Sequence, residues 1–542
     1  MIIYLIVVPL LGGFLMLLLG HIAKGSRMVA PLTVLMLLGT AGVLLSLVPS
    51  MQLGQVIEYD VGGWPDPIGI TLKMDGMAFL GSCLGMVIML LAAFYAMAER
   101  RYGAIFFGIL LILAAAMQGV LLTNDLFNLY VLLEIVSLCT YFLVAYHKQT
   151  RSMKAALDYL LVSSLAFCLY LFGVGLIYRA TGVLGFQSLS EMFSQPGWVK
   201  DSSLTLAMAL ILTGAGVKAV FFPLHTWLPD AHAQAPTPIS ALLSGVMIKI
   251  SFLAVWRTLD AFCADHFAPA LMVIGLTSAL WGGCMAVVQT DMKRLLACSS
   301  ISQMGLIITA FAVGTSVGRM ASLLHVVNHA CFKSLLFFCA GIIITKTGKR
   351  DMRQIAGLAT GEPLLVVCLL VGAGAISGVP GFGGFVSKGW VASSLAGKPL
   401  AIVAVTLAGI LTVASMARLV WTLWGRQEQP CQDNTSCQVR LWIPAFTLTV
   451  LCLVLGVLPR LPIQWVRHAL DCTDAPDLSV YSMSRISGSL VVVVLGLSLF
   501  FALRTPTGTR ISERVRNLDA NLNIKLLLVI VAAVAYYLLA AF

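Results

Sequence analysis

The sequence predicts an all-α polytopic membrane protein with about sixteen transmembrane helices. Two observations predict this fold class: the overall composition and the regular recurrence of long apolar stretches. The chain has 542 residues, of which 59% are hydrophobic and 11% are charged, and its mean hydropathy is +0.96. A soluble domain is roughly 45–50% apolar and about 25% charged. No long stretch has such a composition, so we expect one large membrane domain.

Apolar stretches long enough to cross the roughly 30 Å hydrocarbon core recur along the whole chain. The first lacks the basic n-region and the small-residue cleavage site of a signal peptide, so we interpret it as a retained span. The predicted spans are 1–20, 29–49, 76–97, 103–122, 125–146, 155–178, 204–225, 238–258, 268–289, 296–313, 320–345, 364–382, 399–424, 441–459, 487–503 and 524–541.

Lysine and arginine concentrate in alternate loops between these spans. The basic loops contain Lys24/Arg27, Arg100/Arg101, Lys148/Arg151/Lys154, Lys293/Arg294, Lys346/Lys349/Arg350/Arg353 and Arg510/Arg514/Arg516. The opposite loops contain Glu58, Asp60, Asp66, Asp265, Asp471, Asp474 and Asp477. The positive-inside rule places the basic loops in the cytoplasm, and therefore both termini on the outer (periplasmic) side of a bacterial or archaeal cell (inner) membrane. These loops account for the formal net charge of +11, so we expect no nucleic-acid partner.

The cysteine pattern gives no indication of a metal site. The thirteen cysteines are scattered, mostly inside spans. Cys431 and Cys437 share a loop, but no C-x-x-C or Cys/His metal spacing occurs. Since nucleotide and haem signatures are also missing from the sequence, we expect no metal and no cofactor. Any redox chemistry would then belong to a partner, and the chain would be a transporter subunit without its own redox centre.

Five ionisable residues lie inside predicted spans, where each costs roughly 2.5–3.5 kcal/mol on insertion scales. They are Glu134, Lys218, Lys249, Lys333 and Lys388. Such residues line ion or proton paths or pair with each other. Glu134 is the natural partner of Lys218, because a carboxylate that approaches or retreats changes the proton affinity of a desolvated lysine. A fixed structural ion pair is the alternative.

Two polar groups accompany these ions. His325, His329 and Lys333 follow an i, i+4, i+8 spacing, so they share one helix face, with Asn328 beside them. Neutral imidazole can accept and donate a proton, which suits a relay.

The second group, His225 and His232, precedes Pro236 and Pro238, which indicate a broken or delayed helix. We interpret both histidines as supporting polar residues, and Asp230 between them as a structural cap.

Several longer motifs carry a resemblance to a known family. ILTGAGVKAVFFP and LLVGAGAISGVPGFGGFVSK form a weak internal repeat, typical of duplicated transporters. GAGVKAVFFPLHTWLPDAHAQAPTPISALLSG, QTDMKRLLACSSISQMG, HVVNHACFKSLLFF and AISGVPGFGGFVSK occur in an order that resembles the antiporter-like proton-translocating subunits. Respiratory complex I, membrane-bound hydrogenases and multi-subunit sodium/proton antiporters share these subunits. VGGWPDPIGITLKMDGMAFL is most similar to the D-type antiporter subunit.

The resemblance implies a fourteen-helix core with two inverted five-helix repeats and with broken eighth and eleventh helices. The expected divisions are helices 1–3 (1–102), the repeats (103–258 and 268–425), helix 14 with its loops (426–486) and two additional helices (487–542). The additional helices would dock a partner subunit or form a lipid-facing addition.

The resemblance also implies roles for the buried ions. Glu134 matches the family's fifth-helix glutamate and Lys218 its seventh-helix lysine. Lys249, His325, His329, Lys333 and Lys388 would continue a polar axis along the midplane that joins two half-channels. One departure is Asp158, which stands where many relatives have a lysine.

We therefore expect a proton-translocating subunit of an antiporter or of a redox-driven, quinone oxidoreductase or hydrogenase-type complex. Its partners would be the other membrane subunits, the bilayer and protons, with sodium ions an open second cargo. The alternatives are a membrane subunit of an inorganic-carbon uptake system and a structural scaffold with non-conducting buried ion pairs.

Overall fold

The computed structural model describes residues 1–22, 28–194, 202–355, 361–424, 439–472 and 479–515. The predicted fold class is confirmed, because the described segments are almost entirely helical. The first helices are α1 Tyr4–Ile22, α2 Val29–Gln52, α3 Gly76–Glu99, α4 Ala104–Leu122, α5 Leu126–Val144, α6 Thr150–Thr181, α7 Phe186–Ser194, α8 Ser202–Lys218 and α9 Trp227–Gln234. They continue as α10 Thr237–Ala261, α11 Ala268–Val288, α12 Met292–Phe311, α13 Ser316–Thr347, α14 Pro363–Ser377, α15 Gly383–Ser394, α16 Pro399–Trp421, α17 Trp442–Val457, α18 Arg460–Ala469 and α19 Met483–Leu503. Strands β1 (Ile57–Asp60) and β2 (Thr71–Met74) form an antiparallel hairpin.

In the described ranges, twelve helices are long and apolar enough to cross a bilayer. A thirteenth span results if α17 and α18, which are bent by 87°, are counted together. The predicted count of sixteen stays unconfirmed, and its last span, 524–541, lies outside the described residues. The residues that also lie outside the described ranges are Cys431, Cys437, Lys24, Arg27, Arg516, Asp474 and Asp477.

The core of the fold lies in three central helices. The apolar windows of α10, α12 and α13 are 100%, 94% and 94% buried, whereas those of α1, α2 and α19 are 28%, 33% and 11% buried. The central helices also carry half of the predicted site residues, so the polar groups of these residues are enclosed by protein.

The seventh and twelfth spans are interrupted, and the expectation of breaks in the eighth and eleventh is wrong. The seventh span consists of α8 and α9, separated by a loop that contains Phe222-Pro223 and the left-handed residue Val220 (φ 65°). The twelfth consists of α14 and α15, separated by a loop that contains Gly378 and Gly381, both with positive φ. Proline and left-handed backbone cannot continue an α-helix, which explains both breaks.

The two helices that were expected to break are continuous for equally local reasons. Pro236 and Pro238 stand at the start of α10, where no intrahelical donor is needed, so they begin this helix. Inside α10 only a π-helical turn, Leu243–Met247, departs from α geometry. The eleventh span, α13, contains no proline and runs unbroken over 32 residues.

The two GAG motifs have the same role at the two breaks. A Cβ atom added to Gly216 would lie 2.8 Å from the ring of Phe221, and one added to Gly374 would lie 2.9 Å from Phe382. Each glycine therefore makes room for a phenylalanine that the following loop folds back onto its own helix. This correspondence gives the sequence repeat a structural basis, and the inverted repeat relationship stays a prediction.

Candidate functional site

Lys218, the last residue of α8, is enclosed by hydroxyl groups and aromatic rings. Its side chain is buried, with 4% of the residue exposed. The Nζ atom donates to Ser163 Oγ at 2.6 Å and to the hydroxyls of Tyr141 and Tyr159 at 3.4 Å each. It also lies 4.8 Å from the ring centroid of Phe167. Hydroxyls and π-faces can stabilise a cation without adding a fixed negative charge.

The start of α9 supports the groups that surround Lys218. Trp227, the first residue of α9, stacks on Tyr159 with ring centroids 3.9 Å apart. Its indole Nε1 donates to the carbonyl of Val217 at 3.1 Å, one residue before the lysine. The two halves of the interrupted seventh span are thereby tied together at Lys218.

Glu134 does not form an ion pair with Lys218 in the described part of the chain. Its Oε2 atom is buried and has no hydrogen-bond partner among the described residues. The close partner of Lys218 is instead Ser163. The sequence had indicated the carboxylate as the partner and had missed the serine, because single serines are common in spans.

Lys249 lies in α10, directly after the π-helical turn. It is buried, and its Nζ donates to the backbone carbonyl of Ser244 inside that turn. A π-turn displaces backbone carbonyls from their α-helical partners, and such turns are frequent at functional sites. The turn thus supplies a backbone acceptor for this lysine.

A pair of adjacent serines on α12 connects Lys249 with Lys333. The hydroxyl oxygens of Ser244 and Ser300 are 2.6 Å apart. Lys333 Nζ donates to Ser299 Oγ at 2.6 Å and to the Leu296 carbonyl at 2.8 Å. Short polar steps therefore lead from α10 across α12 to α13.

The two histidines on α13 have different surroundings. His325 Nδ1 lies 2.9 Å from Ser387 Oγ, and its Nε2 lies 3.2 Å from Gln303 Oε1. The His325 and His329 rings are nearly parallel, with centroids 6.1 Å apart. His329 is fully buried, and neither of its nitrogens has a hydrogen-bond partner in the described segments. His325 is anchored, whereas His329 is free to exchange partners.

Lys388 lies at the interrupted twelfth span. Its Nζ donates to the carbonyl of Ile376, in the last turn of α14, at 2.6 Å. This carbonyl belongs to the negative end of the helix dipole, which favours a cation. Asn328 of α13 donates to its own helix at the Leu324 carbonyl, at 3.0 Å. A Cβ on Gly383 would lie 2.0 Å from Asn328 Oδ1, so α15 packs closely on this amide.

We use the term polar track for Lys249, Ser244, Ser300, Ser299, Lys333, His329, His325, Ser387 and Lys388. Its groups come from α10, α12, α13 and α15. Among the ion pairs that the described ranges contain, none involves a lysine of the track.

The predicted supporting histidines lie on and before α9. His232 is fully buried, stacks on Phe337 with centroids 4.7 Å apart, and has no hydrogen-bond partner within the described ranges. His225 is buried against Phe222, with ring centroids 5.5 Å apart. Asp230 pairs with Arg294, which agrees with its interpretation as a structural residue.

Lys293 is a buried cation that the sequence analysis had assigned to a loop. Only 4% of the residue is exposed, and its Nζ donates to the Ala235 carbonyl at 2.8 Å and to Ser240 Oγ at 3.2 Å. It stands in the first turn of α12, so hydropathy placed it at a span edge. Packing of α12 against α9 buries it.

A polar cleft of about 640 Å³ opens beside these elements. It is lined by Arg151, Lys154, Ala155, Asp158, Asp230, Ala233, Gln234, Gln289, Thr290, Asp291, Arg294, Arg350 and Arg353. The next residue after Asp158 is Tyr159, whose hydroxyl accepts from Lys218. In the adjoining loop, hydrogen bonds from Arg353 hold the pKa of Asp351 below its usual range. Most of the lining residues lie in or beside the basic loops, whereas Asp230, Ala233 and Gln234 belong to α9.

Comparison with known proteins decides the family. Residues 123–412, more than half of the chain, match the family described as NADH:quinone oxidoreductase/Mrp antiporter, TM. The chain belongs to this family. Subunit N of the NADH-quinone oxidoreductase of Desulforudis audaxviator is 35% identical over 433 residues, which are 76% of this chain and 85% of that protein.

Two further similar proteins are a hydrogenase-4 component homolog and a chain of an Mrp complex. A hydrogenase-4 component F homolog of Methylacidiphilum infernorum is 32% identical, covering 68% of this chain and 78% of its own. A chain in the structure of the Mrp complex from Dietzia sp. DQ12-45-1b has a TM-score of 0.80 at 24% identity, covering 90% of this chain and 99% of that one. That likeness concerns the fold alone. The family predicted from the sequence motifs is confirmed.

Proposed function

We propose that this chain is the proton-translocating, cation/proton antiporter-like membrane subunit of a multi-subunit complex. Protons enter through the polar cleft, reach Lys218, pass to Lys249 and leave along the polar track at Lys388. The observation that carries the proposal is the polar track itself. It is a row of lysines and histidines that serine hydroxyls join in part, and in the described segments no carboxylate pairs with its lysines.

Glu134 controls Lys218 from a distance in this mechanism. This role is supported by its buried Oε2 atom, which has no hydrogen-bond partner among the described residues, and by the lack of a Glu134–Lys218 ion pair there. When the carboxylate approaches, the protonated lysine is favoured, and when it withdraws, proton release is favoured. His225 and His232 line the loop and helix beside this step, and Asn328 supports the α13–α15 contact.

The cleft supports a cytoplasmic entrance. Apart from the three residues on α9, its lining residues lie in or beside the loops that the positive-inside rule assigns to the cytoplasm, with both termini on the periplasmic side. Asp158, exposed at the mouth, offers a carboxylate that can collect protons where many relatives carry a lysine.

The decisive test measures proton flux in vesicles that contain the purified native complex. Lys218→Ala and Glu134→Ala should each abolish most of the coupled flux. Lys73→Ala is the matched control, because Lys73 pairs with Glu58 3.5 Å away in the β-hairpin, far along the chain from the track. Near-normal flux in both variants would remove the pair from the mechanism.

The scaffold alternative makes the opposite prediction for the second half of the track. If the buried lysines were purely structural, Lys333→Met and Lys388→Met would conduct normally. The proposed function requires both to lose coupled flux. Identifying the subunits that copurify with the chain separates an antiporter or redox complex from an inorganic-carbon uptake system.

A further inference from the structure

Helix α19 lies outside the region of the chain that the family match covers. The match ends at residue 412, and α19 runs from Met483 to Leu503. Large apolar side chains such as Leu490 and Val494 are at least half exposed on it, as a lipid-facing helix requires. Its first half nevertheless carries polar side chains toward the protein.

Three side chains of this region contact the interrupted twelfth span or its neighbour. Ser489 Oγ donates to the Gly378 carbonyl at 2.7 Å, in the loop between α14 and α15. Arg485 Nη2 donates to Ser393 Oγ at 2.8 Å, near the end of α15. Just before α19, the ring of Tyr481 stacks on Phe385, with centroids 5.4 Å apart, and its hydroxyl donates to the Gly456 carbonyl at 2.6 Å. The contacts therefore reach the loop and both halves of α15.

These contacts surround Lys388. The Gly378 residue whose carbonyl receives Ser489 is also packed against the lysine, since a Cβ there would lie 3.2 Å from Lys388 Cδ. On the other side, a Cβ on Gly389 would lie 3.8 Å from Arg485 Cδ. The lysine itself is held by the Ile376 carbonyl, two residues before Gly378. Ser489 therefore holds the chain two residues away from the acceptor of Lys388.

The loop needs such support. Gly378 and Gly381 both have positive φ, a conformation that glycine adopts without strain but that does not fix a loop in place. An arginine is costly on a helix that faces lipid unless it has a partner. The hydrogen bond from Ser489 supports the loop, and the bond from Arg485 to Ser393 gives the arginine a partner.

We propose that α19 is a clasp on the interrupted twelfth span, in which Arg485 and Ser489 are positioning residues that keep Lys388 on the Ile376 carbonyl. The outlet of the polar track is thus shared between the family core and the C-terminal extension. This inference rests on the proposed function, because it assigns Lys388 to the outlet.

The test uses the intact complex in vesicles. Arg485→Gln and Ser489→Ala should each lower coupled proton flux about fivefold, the effect of one lost hydrogen bond at a transfer step. The amount of the chain in the purified complex should stay unchanged. The amide of Arg485→Gln also carries donors but is two atoms shorter than the guanidinium, whereas Arg485→Lys loses only one atom of reach to Ser393 and should restore most of the flux. Ser498→Ala is the matched control, since that hydroxyl donates to Val494 of its own helix.

Two results would overturn the clasp. One is normal flux in both Arg485→Gln and Ser489→Ala. The other is loss of the chain from the complex in Arg485→Gln and Arg485→Lys alike, because the helix would then serve assembly. Lys388→Met, measured in parallel, separates the two proposals. If it is inactive while both clasp variants are normal, only the clasp is wrong, and if it conducts normally, the outlet itself is wrongly assigned.

Discussion

Trp227 lies flat on Tyr159, with an angle of 7° between the two rings. The stack joins the second half of the interrupted seventh span to the tyrosine that contacts Lys218, and the indole also bonds to the Val217 carbonyl. The position of the lysine therefore depends on an aromatic residue nine positions later in the chain.

Replacing Trp227 should disturb the lysine in two separable steps. Trp227→Phe keeps a stacking ring and loses the bond to Val217, so we expect about a fivefold loss of coupled proton flux. Trp227→Leu also loses the stack and should reduce flux further. Trp424→Leu, at an exposed tryptophan, is the control. Equal flux in the Phe and Leu variants would contradict a role for the stack.

Ser163→Ala removes the shortest hydrogen bond of Lys218. A hydrogen bond to a charged group contributes about 1.5–3 kcal/mol, so proton flux should fall about tenfold or more. The neighbouring Ser164 is exposed on the same helix, and Ser164→Ala should conduct normally. If the two alanine variants behave alike, the short contact does not matter for transport.

Gln303→Met should release His325 from one of its two anchors. The glutamine holds Nε2 of the ring while Ser387 holds Nδ1, and a fixed tautomer is required for directional proton transfer. We expect flux to fall about fivefold with unchanged assembly of the complex. Gln354→Met, in the loop after α13, serves as the control. Full activity of Gln303→Met would show that His325 needs no anchor there.

The left-handed backbone at Val220 leads us to expect an unusual order of stability for glycine and alanine at this position. It is a β-branched residue with φ of 65°, a conformation that costs roughly 1–2 kcal/mol for residues other than glycine. Val220→Gly should therefore be more stable than Val220→Ala by about 1 kcal/mol. At Val217, inside α8, the order should be reversed, because glycine is the poorer helix former. Thermal unfolding of the four purified variants measures both differences.

Hydropathy and motif order were sufficient to predict the family, the fold class and most spans, because crossing a bilayer imposes a length and a composition. The break expected in the eighth span was misplaced because a proline at a helix start looks like a proline at a break, whereas the break in the eleventh was expected from the family resemblance alone, since α13 contains no proline. Pro236 and Pro238 begin α10, whereas glycines with positive φ interrupt the twelfth span.

The sequence predicted the charged residues of the candidate site better than the hydrogen bonds between them. A lysine in an apolar run is visible in the sequence, and so is the spacing of His325 and His329. The serine hydroxyls between these groups are not visible in the sequence. Ser244 and Ser300, for example, are 56 residues apart and meet only through helix packing. Lys293 was missed for the same reason, because its burial depends on a neighbouring helix.

Four lysines inside the helix bundle share one kind of partner. Lys249, Lys293, Lys333 and Lys388 each donate to a backbone carbonyl, and in the described part of the chain none has a carboxylate in contact. A carbonyl dipole neither takes up nor gives away a proton, and it favours the protonated lysine without adding the fixed negative charge of a carboxylate. In the proposed mechanism, the protonated lysines have no carboxylate counter-ion in contact among the described residues, so each newly arrived proton repels the one ahead of it. Such mutual repulsion between occupied sites is how multi-ion pores combine firm binding with rapid exit.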